Sequence, residues 1–93
     1  MIRSFGDSRT EDIFNGNRPK RLDVRVLQRA QLKLNYIHAA GKIEDLMVPP
    51  SNRLEKKKGD LKDFYAIRVN DQYRIIFRWK NGEAYDVQFM DYH

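Results

Sequence analysis

The sequence predicts a small α+β domain in which an antiparallel sheet packs against two N-terminal helices. Three observations predict this fold class. Apolar residues recur at helical spacing in the first half of the chain, they alternate with polar residues in the second half, and turn residues separate the alternating runs. With 93 residues, the chain is long enough for one domain over 1–93 and too short for two hydrophobic cores.

Two helices are predicted in the N-terminal half. Ser8 and Glu11 have the spacing of a capping box, which predicts a short helix over 8–15. A longer helix is predicted between Pro19 and Gly41, since proline is tolerated in a first turn and glycine commonly follows a helix end. The apolar stripe of this helix consists of Leu27, Ala30, Leu34 and Ile37, widened by Val26 and Leu32.

Strands are predicted at the N-terminus and in the C-terminal third. The alternation in 1–5 predicts an edge strand, and the basic segment 52–60 is read as a short strand or an extended loop. Alternation with a period of two then predicts a three-strand meander over 64–69, 73–79 and 84–90. Asn81 and Gly82 separate the last two strands and are the residues preferred in a tight hairpin.

The alternation assigns the side chains of the meander to two faces. Large apolar residues on one face are expected to pack on the helices: Tyr65, Ile67, Val69, Tyr73, Ile75, Phe77, Trp79, Tyr85, Val87 and Phe89. The other face collects Arg68, Arg74, Arg78, Gln88 and Tyr92. Three arginines on neighbouring strands form a cluster suited to phosphate, because a guanidinium binds phosphate oxygens bidentately. The alternative is that they are solubilising charges on a solvated sheet face.

The chain is basic, with a net charge of +5 and a pI near 9.6. Four cations recur at i,i+4 steps on the side of the long helix opposite its apolar stripe: Arg21, Arg25, Arg29 and Lys33. A polyanionic partner such as nucleic acid would account for this ridge and for the charge. A basic surface that serves only solubility is the alternative.

Several functional classes are disfavoured by composition. The chain has no cysteine, which removes disulfides, thiolate nucleophiles and the common zinc motifs. Its carboxylates are scattered and no histidine lies at ligand spacing from them, so neither a metal nor another cofactor is expected. No apolar run reaches the roughly 18 residues of a membrane span, and no signal peptide is recognisable, so a cytoplasmic location without membrane association is predicted.

The chain ends in three residues that can handle protons, Asp91, Tyr92 and His93. A polar tail that frays is the ordinary interpretation of such an end. The apolar residues of the strand over 84–90 argue against it here, because they tie down the backbone to within two residues of Asp91. His38, the other histidine, lies on the long helix and is interpreted as structural or exposed.

Three blocks of sequence, NRLEKKKGD, IRVNDQYRIIF and the terminal DYH, occur in an order that resembles the HigB toxins. These belong to the RelE-like superfamily of toxin–antitoxin systems and are also described as plasmid-maintenance killer proteins. The resemblance covers nearly the whole chain. It implies a compact sheet with two N-terminal helices and a ribosome-dependent endoribonuclease that cuts mRNA in the A site. It also implies a helix-turn-helix, HigA-like antitoxin as partner, with operator DNA contacted only through that antitoxin.

The resemblance also implies roles for individual residues. Asp91, Tyr92 and His93 match the catalytic tail, and Arg74 is expected to stabilise the transition state of 2′-hydroxyl attack without a metal. Arg53, Glu55, Lys56, Lys57, Lys58, Arg68 and Arg74 match the basic loop and strand that face RNA in the family. The sheet face and the helix add Arg78 and the ridge Arg21, Arg25, Arg29 and Lys33 to the expected RNA-binding set. Glu55 departs from the pattern, since a family member has a catalytic histidine there. Whether Glu55 shares proton transfer is open; the terminal residues are expected to carry it, because a carboxylate repels phosphate.

Two non-enzymatic functions remain as alternatives. A non-catalytic RNA- or ribosome-binding regulator would explain the arginines and the helix ridge, but it gives the terminal histidine no role. A DNA-binding regulator acting alone is less consistent with the sequence, because the long helix lacks the paired short helix of a recognition motif.

Overall fold

The computed structural model of the chain describes residues 1–92 and confirms the α+β class. Helix α1 spans Ser8–Phe14 and α2 spans Val24–Ala39. The strands are β1 (Glu55–Lys56), β2 (Phe64–Arg68), β3 (Tyr73–Lys80) and β4 (Glu83–Asp91). They form one antiparallel sheet in the order β1-β2-β3-β4, so the meander over β2, β3 and β4 is confirmed. Within these residues no helix has the length and apolar character needed to cross a membrane.

The N-terminal residues run along the outer edge of β4, as predicted, but they pair with it in parallel through two isolated bridges. The bridges join Ile2 to Ala84 and Phe5 to Val87. Backbone hydrogen bonds of 2.7 Å from Arg3 N to Ala84 O and of 2.8 Å from Gly6 N to Val87 O maintain this pairing. The fourth strand of the sheet is β1, at the opposite edge, where the sequence left a choice between strand and loop.

Helix α1 is capped by Asp7 and not by the predicted capping box of Ser8. The Asp7 carboxylate accepts a hydrogen bond of 2.8 Å from the Thr10 backbone N–H and one of 2.6 Å from the Thr10 hydroxyl. Thr10 is fully buried, and its Oγ1 accepts a hydrogen bond of 2.8 Å from the backbone N–H of Phe89. The cap therefore also attaches α1 to the last strand of the sheet.

Helix α2 begins at Val24, five residues later than the Pro19 start that the sequence predicts. Asp23 is its N-cap, with a carboxylate that accepts a hydrogen bond of 2.7 Å from Arg25 N. Arg21 has a φ of 63°, in the left-handed region, which a right-handed helix does not allow. Arg21 consequently lies outside α2, and the predicted four-residue ridge is wrong at its first position.

The core lies between the helices and one face of the sheet. Helix α2 contributes the predicted stripe of Leu27, Ala30, Leu34 and Ile37. The strands contribute Ile67, Ile75, Phe77, Val87 and Phe89, and Val69 joins them directly after β2. Leu32, predicted to widen the stripe, is 47% exposed.

A β-bulge shifts the first residues of β4 relative to the predicted alternation. The bulge lies between the partners of Ile76 and Arg78, and Asp86 within it has a φ of 52°. As a result Ala84 enters the core opposite Trp79. Tyr85, which alternation assigned to the core, instead lies opposite Arg78 on the other face. The Asn81–Gly82 hairpin is confirmed, with positive φ at both residues as a type I′ turn requires.

Candidate functional site

Tyr92 lies on the basic face of the sheet and contacts two cations there. The Lys57 ammonium donates a hydrogen bond of 2.7 Å to the Tyr92 hydroxyl. The Arg74 guanidinium carbon lies 4.9 Å from the centroid of the Tyr92 ring. Both cations are held by the sheet: Lys57 directly follows β1 and donates its backbone N–H to Phe64 O, and Arg74 lies on β3. We call Tyr92, Lys57 and Arg74 the Tyr92 cluster.

The turn between β2 and β3 fixes the tail up to residue 92. The Tyr92 backbone N–H donates a hydrogen bond of 2.7 Å to Gln72 O, and the Gln72 amide donates one of 3.1 Å to the Asp91 carboxylate. Asp91 pairs with Tyr73, so its side chain lies on the face opposite Tyr92, as strict alternation predicts. The predicted anchoring of the tail by its strand is confirmed through Tyr92, whereas His93 lies outside the described residues.

Lys57 is the least exposed of the three consecutive lysines in the basic segment, with 14% of its side chain accessible. The hydrogen bond to Tyr92 is the main cause that raises the pKa of Lys57, and the Glu55 carboxylate, 3.2 Å away, adds to it. Alternation in β1 directs Lys56 to the opposite face, where its ammonium lies 5.8 Å from the Tyr65 ring centroid. Lys58 is exposed. The three lysines therefore do not form one patch.

Three arginines act on the carboxylate of Asp71 in the turn between β2 and β3. Arg68 forms a hydrogen-bonded ion pair with Asp71, and this bond lowers the pKa of the Asp71 carboxyl, with smaller contributions from Arg53 and Arg74. Arg68 and Arg74 are also direct partners in the β2–β3 register. Positive charge is thus concentrated next to the Tyr92 cluster.

Arg78 does not belong to this concentration of charge. It lies four residues beyond Arg74 on β3, about 13 Å away at the usual rise of a strand. Its guanidinium forms an ion pair of 3.2 Å with Asp86 and lies 4.9 Å from the Phe64 ring centroid. The predicted single cluster of Arg68, Arg74 and Arg78 is therefore wrong: the structure brings the first two together and separates the third.

The remaining cations of the predicted ridge diverge along α2. Arg25 and Arg29 are exposed, but Lys33 is only 5% exposed, and its ammonium donates a hydrogen bond of 2.6 Å to the Asn52 side chain. Lys33 follows Ala30 by three residues and precedes Ile37 by four. That spacing, visible in the sequence, places it on the buried stripe and not on the solvated side.

Two functional features were missed by reasoning from the sequence. The contact of Lys57 with Tyr92 joins residues 35 positions apart, and no local pattern encodes it. Buried Asn52 is the second, since its amide donates to Leu46 O and Val48 O while its oxygen accepts from Lys33. His38, interpreted from the sequence as structural or exposed, is half-buried, and its Nδ1 accepts a hydrogen bond of 3.1 Å from Ile2 N. Within 1–92, no three acidic or histidine side chains converge as a metal site.

Comparison with known proteins relates the chain to one toxin family. Residues 3–93 match the family described as RelE-like toxin of type II toxin–antitoxin system HigB. The chain is 37% identical over 94 residues to Toxin HigB-1 of Vibrio cholerae serotype O1, covering 100% of this chain and 98% of that protein. It is 29% identical to Endoribonuclease HigB of Proteus vulgaris over 100% of both chains.

The fold has counterparts among solved structures. A chain of the YoeB–YefM complex from Staphylococcus aureus superposes with a TM-score of 0.63 at 18% identity, over 100% of this chain and 95% of that chain. The YoeB dimer from the same organism superposes with a TM-score of 0.60 at 19% identity, over 99% of this chain and 94% of that one. At these identities the likeness shows a shared fold.

Proposed function

We propose that this chain, which belongs to the HigB-like family of RelE-like toxins of type II toxin–antitoxin systems, is an endoribonuclease that cleaves mRNA in the ribosomal A site. Two observations support RNA cleavage. A relative that matches the whole chain is named Endoribonuclease HigB. In addition, the Tyr92 cluster offers a hydrogen-bond donor and two positive charges to a single phosphate.

The observation that carries the proposal is the contact of the Tyr92 hydroxyl with Lys57. A phenol that accepts a hydrogen bond keeps its own proton available for donation. Tyr92 can therefore donate to a phosphate oxygen while Lys57 and Arg74 supply positive charge next to its ring. Donors and cations fixed in place before the reaction are the main means by which an enzyme stabilises charge that develops in a transition state.

The proposed reaction uses the nucleophile that RNA carries. A base removes the proton of a 2′-hydroxyl, the 2′-oxygen attacks the adjacent phosphorus, and the 5′-oxygen leaves with a proton from an acid. The products are a 2′,3′-cyclic phosphate and a 5′-hydroxyl. We assign the proton transfers to His93, because imidazole is the side chain whose ordinary pKa lies closest to neutral pH, with Asp91 orienting it. Arg74 and Lys57 stabilise the negative phosphorane.

We assign Glu55 the role of an ion-pair partner of Lys57 and no part in proton transfer. Its carboxylate lies 3.2 Å from the Lys57 ammonium, and half of its side chain is exposed. An incoming phosphate would take over this ion pair, because both anions compete for the same ammonium. A base at this position would also add negative charge beside the phosphorane, which opposes the stabilisation that the reaction requires.

Partners and location follow from the same proposal. A type II toxin implies an antitoxin, and a structure of similar fold contains YoeB in complex with YefM. We propose a helix-turn-helix, HigA-like antitoxin as the partner, with operator DNA bound only through it. The net charge of +5 favours the ribosome and mRNA as polyanionic partners in the cytoplasm.

Primer extension on a defined mRNA tests the proposal. The chain is added to a purified translation system, and the same mRNA is incubated with the chain without ribosomes. We expect discrete cuts within codons of the translated message and intact naked RNA. An uncut message under stalled ribosomes would contradict cleavage and favour a non-catalytic binder. Equal cutting of naked RNA would contradict the dependence on ribosomes.

A further inference from the structure

A positively charged cavity lies on the α2 side of the molecule, outside the Tyr92 cluster. It has a volume of about 240 Å³ and lies between the middle of α2, the segment 49–51 and the end of β2. Its polar lining consists of Arg29, Lys33, Tyr36, Ser51 and Arg68. None of the described residues that line it is acidic. We call it the Lys33 cavity.

Lys33 is a buried cation that reaches a neutral partner. Its side chain is on the apolar stripe and 5% of the residue is exposed, while its ammonium is 2.6 Å from the amide oxygen of Asn52 and 3.5 Å from Ser51 Oγ. Transferring a charge from water to a protein interior is costly unless an opposite charge compensates for it. An apolar residue at this position of the stripe would avoid that cost, so packing alone does not account for a lysine.

The surroundings of Lys33 make its positive charge more costly, and a bound anion would offset that cost. Burial, followed by the nearby guanidinium groups of Arg29 and Arg68, lowers the pKa of Lys33. Arg68 forms its ion pair with Asp71, a fully exposed turn residue outside the cavity lining. The three cations of the Lys33 cavity therefore repel one another, and an anion placed between them would be attracted by all three.

We propose that the Lys33 cavity binds a phosphate of the RNA strand that is distinct from the phosphate cleaved at Tyr92. Guanidinium forks from Arg29 and Arg68 grip the phosphate oxygens at the mouth, the Lys33 ammonium faces it from below, and the Ser51 hydroxyl donates to it. The cavity is smaller than the roughly 300–1,000 Å³ of sites that enclose drug-sized ligands, which suits a backbone phosphate better than a whole nucleoside.

Charge continues from the Lys33 cavity to the Tyr92 cluster. Arg68 lines the cavity and is also the register partner of Arg74, which contacts the Tyr92 ring. One strand of RNA could therefore be held at both places, with Arg68 between them. This inference rests on the proposed function for the identity of its ligand, while the existence of an anion site rests only on the cavity.

Amide NMR titration of the full chain tests the inference without requiring cleavage. The probe is a 2′-O-methyl RNA trinucleotide, which has no 2′-hydroxyl nucleophile, and inorganic phosphate is titrated separately. We expect saturable shifts at Ser51, Asn52 and Lys33 with the trinucleotide at millimolar concentration, and weaker ones with inorganic phosphate.

The Arg29→Gln variant should bind the trinucleotide at least about fivefold more weakly, since it loses one of the charges that bind the phosphate. Lys20→Gln, an equal loss of charge on the exposed surface, should bind as the wild type does.

Different results would contradict the phosphate site in the Lys33 cavity and the proposed cleavage of mRNA. Shifts that spare Ser51, Asn52 and Lys33, or an unchanged affinity of Arg29→Gln, would overturn the phosphate site even if the chain cuts mRNA. Inorganic phosphate binding as tightly as the trinucleotide would overturn the assignment to RNA, and so would displacement of the trinucleotide by an equal concentration of a poly-glutamate peptide. Binding in the Lys33 cavity by a chain that cuts no mRNA would contradict only the proposed cleavage.

Discussion

The hydroxyl of Tyr92 accepts a hydrogen bond of 2.7 Å from Lys57, 35 positions earlier in the chain. Lys57 follows β1 and Tyr92 follows β4, so the two residues come from opposite edges of the sheet and meet over its middle. Ala66 and Ile76, on the same face, are buried. The contact therefore places the Tyr92 side chain above the central strands, next to Arg74.

Replacing Lys57 by methionine should slow RNA cleavage while preserving the fold. Methionine replaces the apolar stem of lysine but removes the ammonium, and with it the charge that faces the developing phosphorane and the donor to Tyr92. Removing one such donor typically lowers a rate by about 10²–10³-fold, and we expect a loss in this range. The measurement is the cleavage rate of a translated mRNA at saturating toxin, with thermal unfolding as the test of folding.

Lys20→Met is the matched control, because Lys20 is exposed and distant in sequence from the cluster. Its rate should equal that of the wild type. A Lys57→Met variant that cleaves within about threefold of the wild-type rate would contradict the role given to this ammonium.

The hydrogen bond between Lys57 and Tyr92 should make stability depend on alkaline pH. It raises the pKa of Lys57 in the folded state, so the charged amine is favoured by folding. This contribution is fully present below the unfolded-state pKa of about 10.4 and is lost as the pH rises through the higher folded-state pKa. The difference in unfolding free energy between wild type and Tyr92→Phe should accordingly be constant near neutral pH and shrink above about pH 10.

Urea unfolding at a series of pH values measures this difference. Tyr85→Phe serves as the comparison, since it removes a phenol on the same face without removing the partner of Lys57. A difference for Tyr92→Phe that stays constant through the alkaline range would show that Lys57 gains nothing from Tyr92.

Asp71→Asn should strengthen RNA binding. Asp71 forms an ion pair with Arg68 and also attracts Arg53 and Arg74, so its carboxylate offsets charge that would otherwise face RNA. We expect an affinity about two- to fivefold higher for a non-cleavable single-stranded RNA at low salt, with the gain decreasing as salt screens it. Fluorescence anisotropy of a labelled 2′-O-methyl RNA provides the measurement.

The control for Asp71→Asn is Asp12→Asn, which removes one exposed carboxylate from α1. If both variants gain affinity equally, net charge alone is responsible. Weaker binding by Asp71→Asn would mean that Asp71 orders Arg68 for RNA instead of competing with it.

Elements with strong local patterns were predictable from the sequence. The stripe of α2, the three meander strands and the Asn81–Gly82 hairpin agree with the structure, because periodicity and turn chemistry are encoded within a few residues. The start of α2 was not predicted, since Pro19 is compatible with a first turn whereas the left-handed backbone of Arg21 excludes the helix there. The bulge at Asp86 likewise breaks an alternation that the sequence of β4 continues without interruption.

The candidate site was predictable in its residue types and not in its grouping. The sequence indicates Tyr92, Lys57 and Arg74 as site residues, but their contact depends on the register of four strands, and no short motif specifies that register. Arg78 was grouped with Arg68 and Arg74 because alternation assigns a face and gives no position along it. Lys33 was assigned to solvent by its charge, although its spacing from Ala30 and Ile37 already indicated the buried stripe.

Thr10→Val should destabilise the fold. Thr10 is fully buried, accepts from Phe89 N and donates to the cap residue Asp7, so valine keeps the volume but leaves the backbone N–H without its acceptor. A buried donor that loses its partner costs about 1–3 kcal/mol, and we expect a decrease of that size in the free energy of unfolding. Urea denaturation measures it, with Ser8→Ala on the exposed side of α1 as the control. A decrease no larger than that of the control would contradict the attachment of α1 to β4.

The cleavage rate of His93→Gln on a translated mRNA, followed by primer extension, tests the central claim most directly. Glutamine keeps hydrogen-bonding ability but cannot exchange a proton near neutral pH, so cuts should fall by at least about 10²-fold. Folding and antitoxin binding should be unchanged. Cuts at the same codons and at the wild-type rate would contradict the assignment of proton transfer to the terminal histidine.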